Sequence, residues 1–225
     1  MDMKKKATSA NADIQTGRPM EPAMALALAA NFGSVEHWRE NFVALAKNVG
    51  GGQGRVTLAF RPRDSALVNV ATCASPNAAG DDLPLLVLET RELSANVDGF
   101  IAGIDWADVY ERYQHAVHAV SEAFAATHAD VADTLLLDVR RAGVFALAAT
   151  MIPGARWRDP AAVAEWSAEL PSDREVIVYC VYGHEVGRAT AMRLRAAGKN
   201  ARFLGGGIDA WQAAGRPLDT KGEAQ

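Results

Sequence analysis

The sequence predicts a two-domain α/β protein in which a parallel sheet with helices on both faces follows a smaller α+β unit. Three observations lead to this prediction. The chain has 225 residues, which is enough for one large or two small domains. Its first half reads as helices followed by three short strands and a further helix. Its second half alternates continuous apolar strands with helices, which is typical of a parallel sheet covered on both faces.

Composition and charge exclude several classes of protein. Hydrophobic residues make up 49% of the chain, enough for a substantial core. The formal net charge of −4 gives no reason to expect nucleic acid or an anionic membrane as a partner. The two cysteines, Cys73 and Cys180, are not a disulfide framework and fit a reducing compartment. We therefore expect a cytoplasmic protein without a membrane span, in which residues 1–19 are a disordered leader rather than a signal peptide.

The first predicted domain covers residues 20–127. An Ala-rich helix ends at Gly33, and Ser34 caps a second, amphipathic helix. Three strands follow and a long helix completes the domain; they are expected at residues 55–60, 65–73, 84–90 and 106–128. Cys73 reads as a plain strand residue.

The second predicted domain covers residues 128–225. Strands are expected at residues 134–140, 175–180 and 201–204, and helices at residues 159–170, 185–198 and 208–215. Asp159 and Pro160 provide a typical helix start. The boundary between the two domains falls near residues 127–133.

One loop in the second domain carries the chemistry. The segment "VIVYCVYGHEV", residues 176–186, places Cys180 at the carboxyl end of a buried strand, where ligands bind in open α/β sheets. Backbone N–H groups of the turn and of the next helix start lack carbonyl partners and form an anion cradle. We expect this cradle to lower the pKa of Cys180 from about 8.5 into the range of about 3.5–7.5, making it a nucleophile. Gly183 permits the tight turn.

Residues 130–219 resemble a rhodanese-like sulfurtransferase domain. Four motifs occur in the family's order: "LLLDVR", "MIPGA", "VYCVYGHEV" and "LGGGIDAWQAAGRPL". The resemblance implies that Cys180 forms a persulfide, taking sulfur from a small sulfur-containing donor and passing it to a thiol or cyanide-like acceptor, with no cofactor. Asp138 and Arg140 would support the site. Backbone amides would hold the sulfur along the segment Val181, Tyr182, Gly183, His184, Glu185 and Val186.

Departures from the family pattern concern substrate choice. Family loops often carry arginine where this chain has Glu185, which argues against thiosulfate as the best donor, and Met151 replaces the usual histidine of the "HIPGA" segment. His184 is either an exposed loop residue or a substrate contact. Glu185 is either a helix-start carboxylate favoured by the dipole or a catalytic residue.

Two further comparisons concern function. A phosphatase on this fold needs an arginine six residues after the cysteine, and Val186 stands there, so phosphatase and arsenate chemistry are rejected. Arg188 lies further along and is expected to pair on the helix surface. The loop also resembles rhodanese-like proteins linked to bacterial chromate resistance, which implies a stress-response context.

The first half resembles the C-terminal domain of iron/manganese superoxide dismutases. The resemblance is carried by "NFGSVEHWRENF", "PLLVLETREL" and "IDWADVYERY". That family binds its metal through three histidines and one aspartate, two of the histidines coming from a helical hairpin for which we expect no room before residue 20. The aspartate position holds Glu89 and the final histidine position holds Leu93, which cannot bind metal. Dismutase activity is therefore not expected, and the domain is predicted to be a metal-free accessory or homo-oligomerisation module.

Three alternatives remain open at this point. His115 and His118 share a helix face and would bind a metal if a third ligand joined them, although a solvated pair is favoured. The whole protein would instead be a non-catalytic module that binds a partner or an oxyanion, or senses oxidants through Cys180. A metal-bound dismutase is the third reading.

Overall fold

The structure is a computed structural model that describes residues 18–49, 54–73, 81–90 and 97–221. Most of the predicted leader and Leu93 lie outside these residues. In the first half, the chain forms α1 (Pro22–Phe32), α2 (Val35–Asn48), β1 (Gly54–Arg61), β2 (Ala66–Cys73), β3 (Leu83–Glu89), α3 (Val97–Ala102) and α4 (Trp106–Ser121).

The helix ends of the first half follow the predicted signals. Gly33 adopts a φ of 86° and its N–H bonds to the carbonyl of Ala29, which ends α1. The Ser34 hydroxyl accepts a hydrogen bond of 3.0 Å from the N–H of His37, which caps α2. The expectations for these two helices are confirmed.

The three strands of the first half form an antiparallel sheet in the order β2-β1-β3. A turn after Arg61 joins the first two strands, and Arg61 pairs with Ala66. One face of the sheet packs with α1, α2 and α4 around a core of large side chains that includes Met24, Trp38, Phe42, Phe60 and Tyr113.

The second half forms β4 (Ala125–Ala126), β5 (Leu135–Asp138), α5 (Ala142–Leu147), β6 (Thr150–Met151), β7 (Arg156–Trp157), α6 (Val163–Trp166), β8 (Val176–Tyr179), α7 (Glu185–Ala196), β9 (Ala201–Leu204), α8 (Gly207–Ala213) and β10 (Asp219–Thr220). Five strands make a parallel sheet in the order β4-β9-β8-β5-β7. Separate apolar clusters include Val176 and Val178, and Ile177 and Tyr179, so alternate residues of β8 pack on opposite faces. The predicted parallel α/β class is confirmed.

The long helix predicted to reach residue 128 ends earlier. α4 stops at Ser121, a short 3-10 turn follows, and Ala125 and Ala126 pair as a strand with Phe203 and Leu204 of β9. Backbone pairing with the edge of the parallel sheet replaces the last helical turn. The domain boundary after residue 127 stays a prediction.

α7 packs against both halves of the chain. Its Ala189 lies against the core of the first half. The guanidinium of Arg193 donates a hydrogen bond of 2.7 Å to the carbonyl of Ala30 in α1. The helix that follows the cysteine loop is therefore also the helix that joins the two halves.

Within the described ranges, no helix has the length and apolar character needed to cross a bilayer.

Candidate functional site

Cys180 lies directly after β8, the central strand of the parallel sheet, where the chain turns into α7. The residue is only 6% exposed. The thiol therefore sits at the bottom of the loop rather than on the protein surface.

The loop directs backbone N–H groups at the sulfur. The backbone N–H groups of Tyr182, Gly183 and His184 in the turn, and of Gly187 in the first turn of α7, lie near the sulfur of Cys180 and favour its anionic form. Such a concave group of N–H donors at a helix start binds anions. Three of the residues predicted as the cradle thus supply donors. Gly187 was not predicted, although a glycine in the first helical turn is the kind of signal that indicates a close approach.

Two glycines shape this arrangement. Gly183 has a φ of 68°, and a Cβ there would lie 2.6 Å from the amide nitrogen of Gly206 and 2.8 Å from the carbonyl oxygen of Leu204. A Cβ on Gly187 would lie 3.3 Å from the sulfur of Cys180. Gly183 leaves no room for a side chain because backbone atoms occupy the Cβ position, whereas a side chain at Gly187 would make a tight contact with the sulfur.

The start of α8 holds the loop from the other side. The N–H of Ile208 donates to the carbonyl of Cys180, and that of Asp209 to the carbonyl of Val181, both at 3.0 Å. The glycine segment that resembles the family's closing motif therefore fixes the backbone of the cysteine loop.

The expected lowering of the thiol pKa is wrong for the free thiol. Burial raises the pKa of Cys180 above its ordinary value, and the four N–H donors act in the opposite direction without overcoming it. Desolvation disfavours the thiolate more than the hydrogen bonds favour it.

A buried polar cluster supports the loop from the neighbouring strand ends. The Nε atom of Arg140 donates to both carboxylate oxygens of Asp138, at 3.0 and 2.9 Å, and Arg140 also donates to the carbonyl of Thr150 at 2.9 Å. The hydroxyl of Tyr179 donates to Asp138 at 3.0 Å and accepts from the N–H of Ile152 at 3.1 Å. The cluster ties β5 and β8 to the "MIPGA" segment. Tyr179, not predicted from the sequence, is one of its members.

Glu185 is buried by the first half of the chain. Its side chain is 7% exposed. One carboxylate oxygen accepts a hydrogen bond of 2.8 Å from the hydroxyl of Tyr110, and the other accepts one of 2.7 Å from the amide of Gln114. Burial and the contact with Glu185 raise the pKa of Tyr110, which keeps its hydroxyl a donor. Neither role expected for Glu185 included this contact between the two halves.

The histidines of the site and of α4 lie near one another. His184 is exposed, and its ring centroid lies 6.4 Å from that of His118 and 5.8 Å from that of Tyr182. The Nε2 atom of His118 lies 3.7 Å from Glu185, and burial and Arg188 lower the pKa of His118. His184 therefore stands at the entrance to the site.

Arg188 forms an ion pair as expected, but its side chain is largely covered rather than on the surface. Its side chain is 13% exposed, and its Nε donates to the carbonyl of Gly183 at 3.1 Å. Its Nη1 donates to the hydroxyl of Ser121 at 3.1 Å and to the carboxylate of Glu122 at 2.8 Å. The guanidinium also lies 4.3 Å from the ring centroid of Phe203. Arg188 links the cysteine loop to the end of α4 because α4 stops beside it.

A cavity of about 200 Å³ lies at Cys180 and is lined by residues of both halves. The first half contributes Ala23 of α1 and Tyr110 of α4. The second contributes Arg140, Arg141 and most of the cysteine loop. In the part of the chain that the structure describes, Arg141 has no ion-pair partner, and it lines the same cavity as the thiol of Cys180.

The residues of the first half do not fit the metal site of a dismutase. Glu89, in place of the aspartate ligand, lies 3.8 Å from Arg55 as an ion pair. Among the described residues no group of three or more histidine, cysteine, aspartate or glutamate side chains is arranged to hold a metal. His115 is exposed on α4.

Comparison with known proteins relates the two halves to different relatives. The N-terminal half is similar to an iron superoxide dismutase from Cupriavidus metallidurans, with 34% identity over 111 residues, which cover 45% of this chain and 56% of that protein. The chain thus spans little more than half of that relative.

The C-terminal half is similar to rhodanese-like proteins. A rhodanese-related protein structure from Thermoplasma volcanium has 23% identity and a TM-score of 0.38, covering 42% of this chain and 96% of that one. A sulfurtransferase from Allochromatium vinosum is 33% identical over 98 residues, covering 44% of this chain and 90% of that protein. Residues 121–214 match the model of the rhodanese-like domain. Through this half, the chain belongs to the rhodanese-like family.

Proposed function

We propose that the protein is a sulfurtransferase that carries sulfane sulfur as a persulfide on Cys180, and that its first half is a metal-free accessory domain. The observation that carries the proposal is the position of Cys180 between the end of β8 and the start of α7, with the backbone of Gly187 so near that a Cβ there would lie 3.3 Å from the sulfur. The backbone N–H groups of this loop favour the anionic form of the thiol. Hydrogen-bond donors fixed before the reaction stabilise negative charge as it develops. The terminal sulfur of a persulfide would take over this environment once it forms.

The proposed reaction has two steps. Cys180 loses its proton to solvent, and its thiolate attacks the outer sulfur of the donor. The donor S–S bond breaks, its electron pair leaves with the remaining donor anion, and a new S–S bond makes the persulfide. A thiolate or cyanide acceptor then attacks the terminal sulfur, and the Cys180 thiolate leaves. Sulfur moves between two nucleophiles, and no external oxidant or reductant is consumed.

The raised pKa of Cys180 is compatible with this reaction. A protonated thiol resists oxidation, because the thiolate is the form that oxidants attack. Once the thiolate forms, the backbone N–H groups of the loop stabilise its negative charge. Attack on a donor also requires the thiolate, so the raised pKa lowers the rate of both oxidation and sulfur loading at a given pH.

Arg141 favours an anionic donor, and Glu185 places a carboxylate in the lining of the same cavity. Arg141 faces the cavity without an ion-pair partner among the described residues, while Glu185 is occupied by Tyr110 and Gln114. The carboxylate that replaces the family's arginine therefore accepts bonds from the first half. Tyr110 and Gln114 are neutral donors, so they orient the carboxylate of Glu185 without cancelling a negative charge that disfavours thiosulfate.

Intact-protein mass spectrometry tests the proposal. Wild type and Cys180→Ser are incubated with thiosulfate, an organic thiosulfonate or an inorganic polysulfide, and then with cyanide. We expect a mass increase of one sulfur atom on the wild type alone, which cyanide removes. Absence of the adduct with all three donors would refute sulfur transfer. Oxygen adducts on Cys180 with no sulfur adduct would point to sensing instead.

A further inference from the structure

The first half of the chain lies directly against the cysteine loop. Ala23 and Tyr110, from the dismutase-like half, line the same cavity as Cys180. Residues of a second domain are not needed to build the loop itself, because its N–H donors all come from residues 182–187. Their presence at the cavity thus calls for a separate explanation.

One face of α4 is adapted to the loop. Tyr110, Gln114 and His118 are spaced four residues apart and lie on the same side of the helix. All three approach Glu185, with distances to its carboxylate of 2.8, 2.7 and 3.7 Å. A buried carboxylate that accepts two hydrogen bonds fixes the distance between two packed elements, because separating them would leave a charge without partners.

The cavity that results is small. Its volume of about 200 Å³ is below the range of about 300–1,000 Å³ that is typical of sites for drug-sized ligands. Without the first half, the side of the cavity formed by Ala23 and Tyr110 would be open.

We propose that the first half of the chain limits the size of the molecules that reach Cys180, with Ala23 and Tyr110 as the wall and Glu185 as the positioning residue that holds the wall in place. The sulfur donor is then a low-molecular-weight compound rather than a bulky one. The identity of that donor as a sulfur compound rests on the proposed function, whereas the wall and its effect on access do not.

Alkylation of Cys180 tests the wall without sulfur chemistry. Iodoacetamide and its fluorescein conjugate carry the same reactive group but differ in bulk. Their rates of reaction at Cys180 are followed by peptide mapping, which separates Cys180 from Cys73. The ratio of the bulky to the small rate is the measured quantity, so that a change in thiol reactivity cancels.

Two variants are expected to change the rate ratio in opposite directions, and a third is the control. Tyr110→Ala opens the wall and is expected to raise the ratio by about tenfold, whereas Ala23→Leu narrows it and is expected to lower the ratio by about tenfold. Ala25→Leu makes the same change on the same helix, at a residue that does not line this cavity. It is expected to leave the ratio unchanged.

The outcomes separate the two proposals. If Ala23→Leu and Tyr110→Ala both keep the wild-type ratio while circular dichroism shows folded protein, the wall is disproved. If Tyr110→Ala unfolds, the comparison of the rate ratio between Ala23→Leu and Ala25→Leu tests the wall by itself. Both variants are expected to fold, since leucine is well tolerated in helices. If the ratios shift as expected but no persulfide forms on the wild type, sulfur transfer is refuted and the wall stands.

Discussion

The hydroxyl of Tyr110 donates a hydrogen bond of 2.8 Å to the carboxylate of Glu185, although 75 residues separate the two in the sequence. Gln114 donates to the other oxygen at 2.7 Å. The carboxylate that distinguishes this loop is therefore bound by the dismutase-like half. Its partners make the two halves a single structure around Cys180.

Replacing Tyr110 by phenylalanine tests this contact. The ring remains, but one oxygen of the buried carboxylate loses its donor, which costs about 1–3 kcal/mol of unfolding free energy. Urea denaturation followed by circular dichroism should show a lower midpoint. Tyr182→Phe is the matched control, since Tyr182 is 57% exposed, and its midpoint should equal that of the wild type. Equal midpoints for both variants would contradict the structural role of the contact.

Breaking the buried pair of Asp138 and Arg140 should lower the unfolding free energy far more than breaking an exposed pair. Asp138 is fully buried and its partner is 5% exposed. Asp138→Asn leaves the guanidinium buried without its anion, a change that costs about 3–5 kcal/mol. Asp108→Asn removes the exposed partner of Arg112, which lies 2.8 Å away, and such pairs contribute at most about 1 kcal/mol. Thermal unfolding of the two variants compares them; similar losses would argue against the cluster as the support of the loop.

Alanine substitutions at Gly183 and Gly198 distinguish the cost of a left-handed backbone conformation from the cost of a steric clash with the added Cβ. Both have positive φ, 68° and 78°, but only Gly183 has backbone atoms where a Cβ would lie. Gly198→Ala should cost about 1 kcal/mol for the left-handed conformation alone. Gly183→Ala must also displace the backbone of residues 204–207, and we expect it to abolish sulfur loading of Cys180 in the mass assay. A Gly183→Ala variant that loads sulfur at the wild-type rate would show that the loop does not need this geometry.

The alkylation rate of Cys180 should rise at a higher pH than that of an ordinary thiol. Burial raises its pKa, and only the thiolate reacts with iodoacetamide, so the rate increases as pH passes the folded-state pKa. The midpoint is expected above the ordinary value of about 8.5. The same cysteine in urea-unfolded protein serves as the control and should return to about 8.5. A folded-state midpoint below the unfolded one would mean that the N–H donors outweigh burial.

Local patterns predict much of the fold. Ser34 caps its helix as the sequence predicts, because a short polar side chain before an amphipathic run is a local signal. The position of Cys180 after a continuous apolar strand likewise follows from the sequence, since strand and helix periods are local.

What the sequence does not predict depends on contacts between distant segments. α4 ends at Ser121 because Ala125 and Ala126 pair with β9, and no residue near Ser121 signals that end. Arg188 is covered because the end of α4 packs beside it. The net pKa of Cys180 reflects how deeply the whole chain buries it, which a loop motif does not reveal.

The most direct test of the central claim is a single-turnover experiment with sulfur-loaded protein. Wild type is loaded with the donor that gives the adduct, freed of excess donor, and mixed with cyanide. Thiocyanate and the mass of the protein are followed together. We expect one thiocyanate for each sulfur lost from Cys180, and background thiocyanate with Cys180→Ser. Thiocyanate formed without loss of sulfur from Cys180, or at the same rate in the Cys180→Ser variant, would contradict transfer through a Cys180 persulfide.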